Sequence, residues 1–532
     1  MKKPNYLKGL RVVLAILIFV PILLFFVDFA DVLPDNLHTL LHLQIMPAIL
    51  GGMAGLVVFQ FVLALLLGRI YCSVICPAGV LQDIINRVFC IGKKKKKGVR
   101  RFSYHKPMNI LRYSILGLTF VLAVFGMIEL CTLLDPYSNF GRIANNLFRP
   151  VVMWVNNLLA DGLARMDNYT LYHVTISNVT VFGVISALVA LLVFIIMVVF
   201  RGRLFCNTLC PVGTLLSLIS RYSFFRISFD KEACTHCGNC EHTCKAEAID
   251  SKNLTVDTSR CVDCFNCVSS CAKGGLPYRF KPSFKKEAET ARAQTDVIQQ
   301  ATAPNSRRTF LSAGATVAVS LPIVSTIAQG MEKGHGKGQH GQGKHGNKWP
   351  PIVPPGAISL ERFKDVCTGC QICVTQCPSH VLRPTGLEYG FDYMLKPRIA
   401  YIDSYCNYEC TVCSEVCPTH AIKPLTKEEK ATTQVGIATF FINRCIVKTE
   451  GTDCGACSEH CPTQAVHMVP YEGTLTIPQV NPDLCIGCGG CESICPVRPM
   501  RAIIIKANEV HKFVEKPKEE EVKKVEIDDF GF

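Results

Sequence analysis

Cys485-Ile486-Gly487-Cys488-Gly489-Gly490-Cys491-Glu492-Ser493-Ile494-Cys495-Pro496 sets three thiols at intervals of three residues, a fourth after a further four, and then a proline. Three cysteines so spaced can wrap one four-iron cubane on a tight loop whose N–H groups reach the sulfides. The fourth turns away into a short helix and ligates the neighbouring cubane of a pair. The same spacing occurs at Cys234, Cys237, Cys240 and Cys244, at Cys261, Cys264, Cys267 and Cys271, and at Cys367, Cys370, Cys373 and Cys377. Two further runs widen only the first gap, Cys406, Cys410, Cys413 and Cys417, and Cys445, Cys454, Cys457 and Cys461. Structural zinc takes two Cys-x2-Cys pairs rather than triplets followed by an x3 step. Disulfide scaffolds are small, with more evenly dispersed cysteines. The pattern therefore predicts six [4Fe–4S] sites using 24 of the 30 cysteines.

The exchange of fourth ligands predicts one site from Cys234, Cys237, Cys240 and Cys271, and its partner from Cys261, Cys264, Cys267 and Cys244. How the four C-terminal runs pair, sequentially or nested, the spacing leaves open. Four other cysteines fall in an internal repeat. Gly68-Arg69-x2-Cys72-x3-Cys76-Pro77-x-Gly79 matches Gly202-Arg203-x2-Cys206-x3-Cys210-Pro211-x-Gly213. Cys72, Cys76, Cys206 and Cys210 could jointly ligate a seventh cluster, act as redox dithiols, or simply cap helix ends. Cys90 and Cys131 have no evident partner and read as packing residues.

Four apolar stretches, residues 10–29, 46–70, 110–131 and 179–200, are each long enough for a helix to cross about 30 Å of hydrocarbon. The net charge of +14 resembles a nucleic-acid signal, but the basic residues gather beside these stretches. Lys2, Lys3, Lys8 and Arg11 precede the first, Lys93–Lys97 with Arg100 and Arg101 lie between the second and third, and Arg201, Arg203, Arg221 and Arg226 follow the fourth. By the positive-inside rule the N-terminus is cytoplasmic and four crossings return the chain there.

The expected organisation is a four-helix transmembrane domain over residues 1–229 and a cytoplasmic two-cluster ferredoxin module over 230–280. A linker fills 281–305 and a twin-arginine apolar segment, opening Ser306-Arg307-Arg308, fills 306–329. A Gly/His-rich spacer covers 330–350, a four-cluster ferredoxin domain 351–510, and a charged tail 511–532. The fold class is thus an α-helical membrane domain plus α+β ferredoxin-like modules. Twin arginine before a weakly apolar segment is the address for exporting an already folded protein. Clusters are assembled in the reducing cytoplasm, so a domain carrying them must cross folded. This makes the C-terminal domain periplasmic; otherwise the segment is a fifth anchor.

Every run supplies four thiols, so electron relay rather than bond chemistry is the default. A relay embedded in a membrane suggests a lipophilic donor such as quinol, and ionisable residues at membrane depth are candidates for its proton chemistry. They are Glu129, Asp135, His38 and His42.

Residues 1–280 resemble the NapH type of membrane quinol dehydrogenase component, in the four apolar stretches, the duplicated Cys-x3-Cys-Pro and the two ferredoxin runs. Residues 305–510 resemble the NapG type of exported ferredoxin, in the twin-arginine segment and the four-run order. The resemblance implies oxidation of the quinone pool, with electrons passed through a multihaem cytochrome to a periplasmic molybdenum reductase, as in nitrate respiration; the basic residues, gathered beside apolar stretches, point to membrane topology and not to nucleic acid. An export signal at residue 306 instead of an N-terminus departs from that pattern. Membrane ferredoxins with Cys-x3-Cys-Pro also resemble oxidase-assembly proteins, so a redox maturation factor for a respiratory enzyme is the alternative.

Overall fold

The computed structural model describes residues 6–30, 33–34, 39–91, 102–125, 127–176, 179–280 and 349–515, with only the backbone for Cys90, Ile91 and Leu130. The lysine run, the twin-arginine segment, the Gly/His-rich spacer, His38 and the end of the charged tail lie outside the described residues.

The principal helices of the N-terminal half are α1 (Tyr6–Val27), α2 (Ala54–Leu67), α3 (Pro77–Ile91), α4 (Asn109–Val124), α5 (Pro136–Ile143), α6 (Arg149–Ala164), α7 (Val181–Arg201) and α8 (Pro211–Ser220). Among the described residues, two of them, α1 and α7, are long and apolar enough to cross a membrane. Leu10, Val13, Ile16, Leu17 and Val20 on α1, and Leu188, Val189, Leu192 and Ile196 on α7, are exposed. A soluble core would bury such stripes, whereas lipid accommodates them.

The expectation of four full-length spans needs correction. The second apolar stretch is broken: Ile45–Leu50 ends at Gly51, Gly52 takes φ +71°, and α2 then runs 14 residues, about 21 Å. A side chain at the break would be crowded, since a Cβ on Gly51 would lie 2.9 Å from the Thr419 carbonyl oxygen. The third stretch divides into α4, 16 residues, and a separate helix Glu129–Leu134.

One long helix was not visible in the sequence. From Pro136 the chain stays helical through α5, a π-helical turn at Ala144–Phe148, and α6 to Ala164. Asp135 caps it, its Oδ2 accepting from the Ser138 N–H at 2.8 Å and the Ser138 hydroxyl at 2.7 Å. Pro136 occupies the first turn, where its missing N–H costs nothing. All eight residues of α5 are buried.

Both ferredoxin units are α+β. The first is clasped by antiparallel pairing of Phe225–Ile227 with Tyr278–Phe280, so it begins before residue 230. In the second, Thr433–Phe440 pairs antiparallel with Ile503–Phe513, a strand that runs into the region read as tail.

The two units dock on opposite ends of the helical core. At the basic end, Lys8 Nζ reaches Ser269 Oγ at 3.5 Å, the Phe224 N–H donates to the Leu65 carbonyl, and the Tyr278 hydroxyl donates to the Leu67 carbonyl. Asp83 on α3 gathers Arg11, Arg203 and Lys245 at 2.5–2.7 Å, tying α1, the end of α7 and the first ferredoxin unit together. At the other end, Gln376 Nε2 donates to the Phe25 carbonyl at 2.6 Å. Arg142 donates to the Thr368 and Gly369 carbonyls at 3.2 Å, and Asn145 and Asn146 both donate to Gln371 Oε1. Lys8 and Phe25 belong to the same helix and stand about 25 Å apart along its axis at 1.5 Å per residue. That helix is the yardstick separating the two units.

Candidate iron–sulfur sites

The cysteine loops share a backbone device. In each of the four runs with x2 first gaps, the residue before the second cysteine and the residue after it adopt positive φ: His236 and Gly238, Asp263 and Phe265, Gly369 and Gln371, Gly487 and Gly489. Left-handed residues at these places curl the chain so that consecutive N–H groups turn inward. Glycine does this without the Cβ clash that the other residues tolerate. The runs with widened gaps have no positive-φ residue at the equivalent positions. A second device follows the fourth cysteine. Glu247, His380, His420 and Gln464, each three residues on, take positive φ and donate back to the carbonyl of Cys244, Cys377, Cys417 and Cys461. Backbone N–H groups also reach sulfur: Ala248 to Cys244 at 3.4 Å, Gly275 to Cys271 at 3.2 Å, and Ile422 to Cys417 at 3.5 Å.

The thiols assemble in fours. A cavity in the first ferredoxin unit is lined by Cys234, Cys237, Cys240 and Cys271. Cys244 lies in the electrostatic reach of Cys261, Cys264 and Cys267. In the C-terminal unit, Cys367, Cys370 and Cys373 are neighboured by Cys417, while Cys406, Cys410 and Cys413 are neighboured by Cys377. Cys445, Cys454 and Cys457 have Cys495 beside them, and Cys485, Cys488 and Cys491 have Cys461. The C-terminal runs therefore pair sequentially, first with second and third with fourth. The two pairs meet where the Cys406 N–H donates to the Cys488 carbonyl at 2.9 Å.

The donor set of these sites, three thiols on a tight loop and a fourth from the paired run, with backbone N–H groups turned toward sulfur, is the one that a [4Fe–4S] cubane takes. Burial pushes the Cys244 and Cys367 thiols up to about 11, and Cys457 and Cys488 up to about 12. Without iron these thiols keep their protons at neutral pH, so loading releases protons.

Cys72, Cys76, Cys206 and Cys210 are brought together in the helical core, and all four are buried. Cys131 is also buried, its Sγ 3.3 Å from the Thr119 carbonyl, as a packing residue would be. The quinol candidates have separate fates. Glu129 is buried and faces Lys396 Nζ of the C-terminal unit at 3.5 Å. His42 stacks on His420, ring centroids 5.3 Å apart. Asp135 is fully buried, its Oδ2 held by the Ser138 N–H and hydroxyl. Tyr137, buried beside it, lies in reach of Cys370 and Cys417. Tyr71, which donates to Gln44 Oε1 at 3.0 Å, has Cys76 and Asp135 in electrostatic reach. Neither tyrosine stood out in the sequence, because nothing local marks them.

Comparison with known proteins agrees with this chemistry. A family described as "4Fe-4S binding domain" matches residues 48–98 and 184–232, the two halves of the Cys-x3-Cys-Pro repeat. Families described as "4Fe-4S dicluster domain" match residues 226–272, and residues 366–421 and 452–498. The protein is an iron–sulfur electron-transfer protein built from several ferredoxin-type 4Fe-4S domains. It is similar to the putative electron transport protein YccM of Escherichia coli, 28% identical over 46% of this chain and 60% of YccM. It is also similar to the methylamine utilization ferredoxin-type protein MauN of Methylobacillus flagellatus, 27% identical over 39% of this chain and 61% of MauN. An uncharacterized Methanocaldococcus jannaschii protein, MJ0750, is 24% identical over 45% of this chain and 82% of its own length. No solved structure matches.

Proposed function

We propose that this protein carries electrons from quinol in a bilayer to an acceptor outside the cytoplasm, with the basic end of the helical core facing the cytoplasm. The observation that carries the reading is that the two ferredoxin units hold opposite ends of α1. An iron–sulfur pair on one side and four sites on the other is what a carrier between compartments requires, and the positive-inside rule assigns the sides. Once iron and sulfide are loaded, each site supplies one-electron exchange with no bond chemistry.

The protein's own residues account for the coupling to quinol. Quinol oxidation releases two electrons and two protons; Asp135, in electrostatic reach of Tyr71 and Tyr137, takes the first proton, and the second passes to bulk water as the quinone leaves. Glu129 is engaged by Lys396 and serves docking instead. Tyr137 has this carboxylate and Cys370 and Cys417 in electrostatic reach, and those cysteines belong to the site through which electrons leave the core. The contact of Cys406 with Cys488 continues the line to the second pair of C-terminal sites. The resemblance to NapH- and NapG-type components supports a multihaem cytochrome or a molybdenum reductase as the acceptor.

The test is anaerobic addition of a short-chain quinol to membranes containing the protein. The expected result is bleaching of cluster absorbance, with Asp135→Asn slowing it at least tenfold while iron content is unchanged. Absence of bleaching at every potential of the quinone pool rejects quinol as the donor.

A further inference from the structure

The two ferredoxin units dock on opposite ends of the helical core, and four buried thiols lie within it. We propose that Cys72, Cys76, Cys206 and Cys210 hold a seventh iron–sulfur cluster, one site shared by both halves of the internal repeat. The inference deepens the conduit reading and rests on it only for the direction of electron flow.

Four observations carry it. First, the thiols form one group rather than two pairs: Cys76 and Cys210 each have Cys72 and Cys206 as electrostatic neighbours, and Cys210 has Cys76 as well. None is more than 4% exposed, so water does not separate them.

Second, two fully buried guanidiniums are exchanged between the halves. Arg69 Nη2 donates to the Cys206 carbonyl at 3.0 Å and lies 3.8 Å from Cys72 Sγ. Arg203 Nη1 donates to the Cys72 carbonyl at 2.8 Å and lies 3.8 Å from Cys206 Sγ. Each arginine thus grips the sulfur of its own half and the backbone of the other, a pseudo-twofold lock around the four thiols. Asp83 answers Arg203 at this site, but it is already shared with Arg11 and Lys245. Arg69 meets neutral oxygens at Asn207 and Ser259, with Asp263 the acidic group facing it from the ferredoxin unit. Buried cations call for an anion, and four thiolates around a cubane supply net negative charge where four neutral thiols supply none.

Third, the sulfurs receive hydrogen bonds of the kind seen in the ferredoxin loops. The Gly213 N–H donates to Cys210 Sγ at 3.2 Å, the Gly79 N–H reaches Cys76, and Gln82 Nε2 lies 3.4 Å from Cys206 Sγ.

Fourth, the repeat's glycines are needed for this lock. A Cβ on Gly79 would sit 2.2 Å from the Cys72 carbonyl oxygen and 2.8 Å from Arg203 Nη1. On Gly213 it would sit 2.3 Å from the Cys206 carbonyl oxygen and 2.9 Å from Arg69 Nη2. A redox dithiol or a simple helix cap does not require both halves to close on each other in this way.

The site lies where a bridge is needed. On one side, Arg69 donates to the Ser259 carbonyl, two residues before Cys261. On the other, Tyr71 and Asp135 lead to Tyr137 beside Cys370. A one-electron carrier here accepts an electron from one neighbouring site and gives it to the other, iron alternating between ferric and ferrous states, with no proton or further reactant.

The test is an iron and sulfide count on the full-length protein, purified and reconstituted without oxygen, beside the double variant Cys72→Ser with Cys206→Ser. The expected result is about 28 irons per chain falling to about 24, with one paramagnetic species lost from the reduced spectrum and the other six kept. A wild-type count of about 24, with the four thiols recovered as free or disulfide-linked residues on alkylation, overturns the proposal even if the variant fails to fold. The count is independent of membrane sidedness. A protein holding about 28 irons with both ferredoxin units on one face would keep the seventh site while removing the conduit.

Discussion

Arg142→Ala separates docking of the C-terminal unit from its loading. Arg142 is 2% exposed and donates across the interface to the Thr368 and Gly369 carbonyls, besides the Thr132 carbonyl within its own half. A hydrogen bond from a charged donor contributes about 1.5–3 kcal/mol, so losing the two interfacial bonds weakens docking by roughly 3–6 kcal/mol. That is on the order of a hundred- to ten-thousand-fold in the docking equilibrium. The unit remains tethered, so it samples the docked position at high effective concentration, and the visible effect falls toward the lower figure. The assay is stopped-flow reduction of the protein by quinol, following the C-terminal clusters after the core clusters. The variant should keep its full iron content and slow the second phase at least tenfold. If the second phase runs at the wild-type rate with the interface disrupted, as judged by cross-linking, electrons do not enter the C-terminal unit through this contact.

Three further outcomes follow from the contacts. Asp83→Ala strands Arg203 and Lys245 in buried surroundings; burial alone would raise this carboxyl, but Arg203, Lys245 and Arg11 together hold it well below the usual range. Removing one member of such a network costs about 3–5 kcal/mol, read as earlier thermal release of the first ferredoxin unit's clusters. Glu492 is pushed up to about 7 by burial, against the Ile505 N–H that it accepts, from a usual 4.5. Its folded-state value exceeds the unfolded one, so stability is fully present below about pH 4.5 and lost as pH rises through 7, by about 3 kcal/mol. Glu492→Gln should therefore raise the unfolding midpoint at pH 8 and leave it near wild type at pH 5. Cys131→Ala should lower stability by about 1 kcal/mol, as loss of a small buried group does, and leave the iron count unchanged; a loss of four irons would make Cys131 a ligand.

The ligand spacing was legible because it is local: four cysteines within about eleven residues, with left-handed residues such as Gly487 and Gln371 between them, specify a cubane loop without reference to the rest of the chain. Sequential pairing of the C-terminal runs was not, since the approach of Cys417 to Cys367 is set by tertiary packing. The helix from Pro136 to Ala164 was hidden by Asn139, Arg142, Asn145, Asn146 and Arg149, which interrupt any apolar run. Three of these polar side chains, Arg142, Asn145 and Asn146, bond to the C-terminal unit across more than 200 residues of sequence. Glu129 read as a proton carrier because Lys396, 267 residues away, could not be paired with it from sequence. The second apolar stretch read as one span because hydropathy does not register the Gly51-Gly52 break. The repeat around Cys72 and Cys206 was visible, but not the exchange of Arg69 and Arg203 that makes it one site.

The placement of the C-terminal unit outside the cytoplasm is decided by protease added to intact spheroplasts, with a tag at the C-terminus and lysed spheroplasts as the control for cleavability. A carrier between compartments predicts loss of the tagged 349–515 unit from intact spheroplasts, with the first ferredoxin unit protected until lysis. Protection of both units until lysis would place every cluster in the cytoplasm and contradict transfer across the membrane.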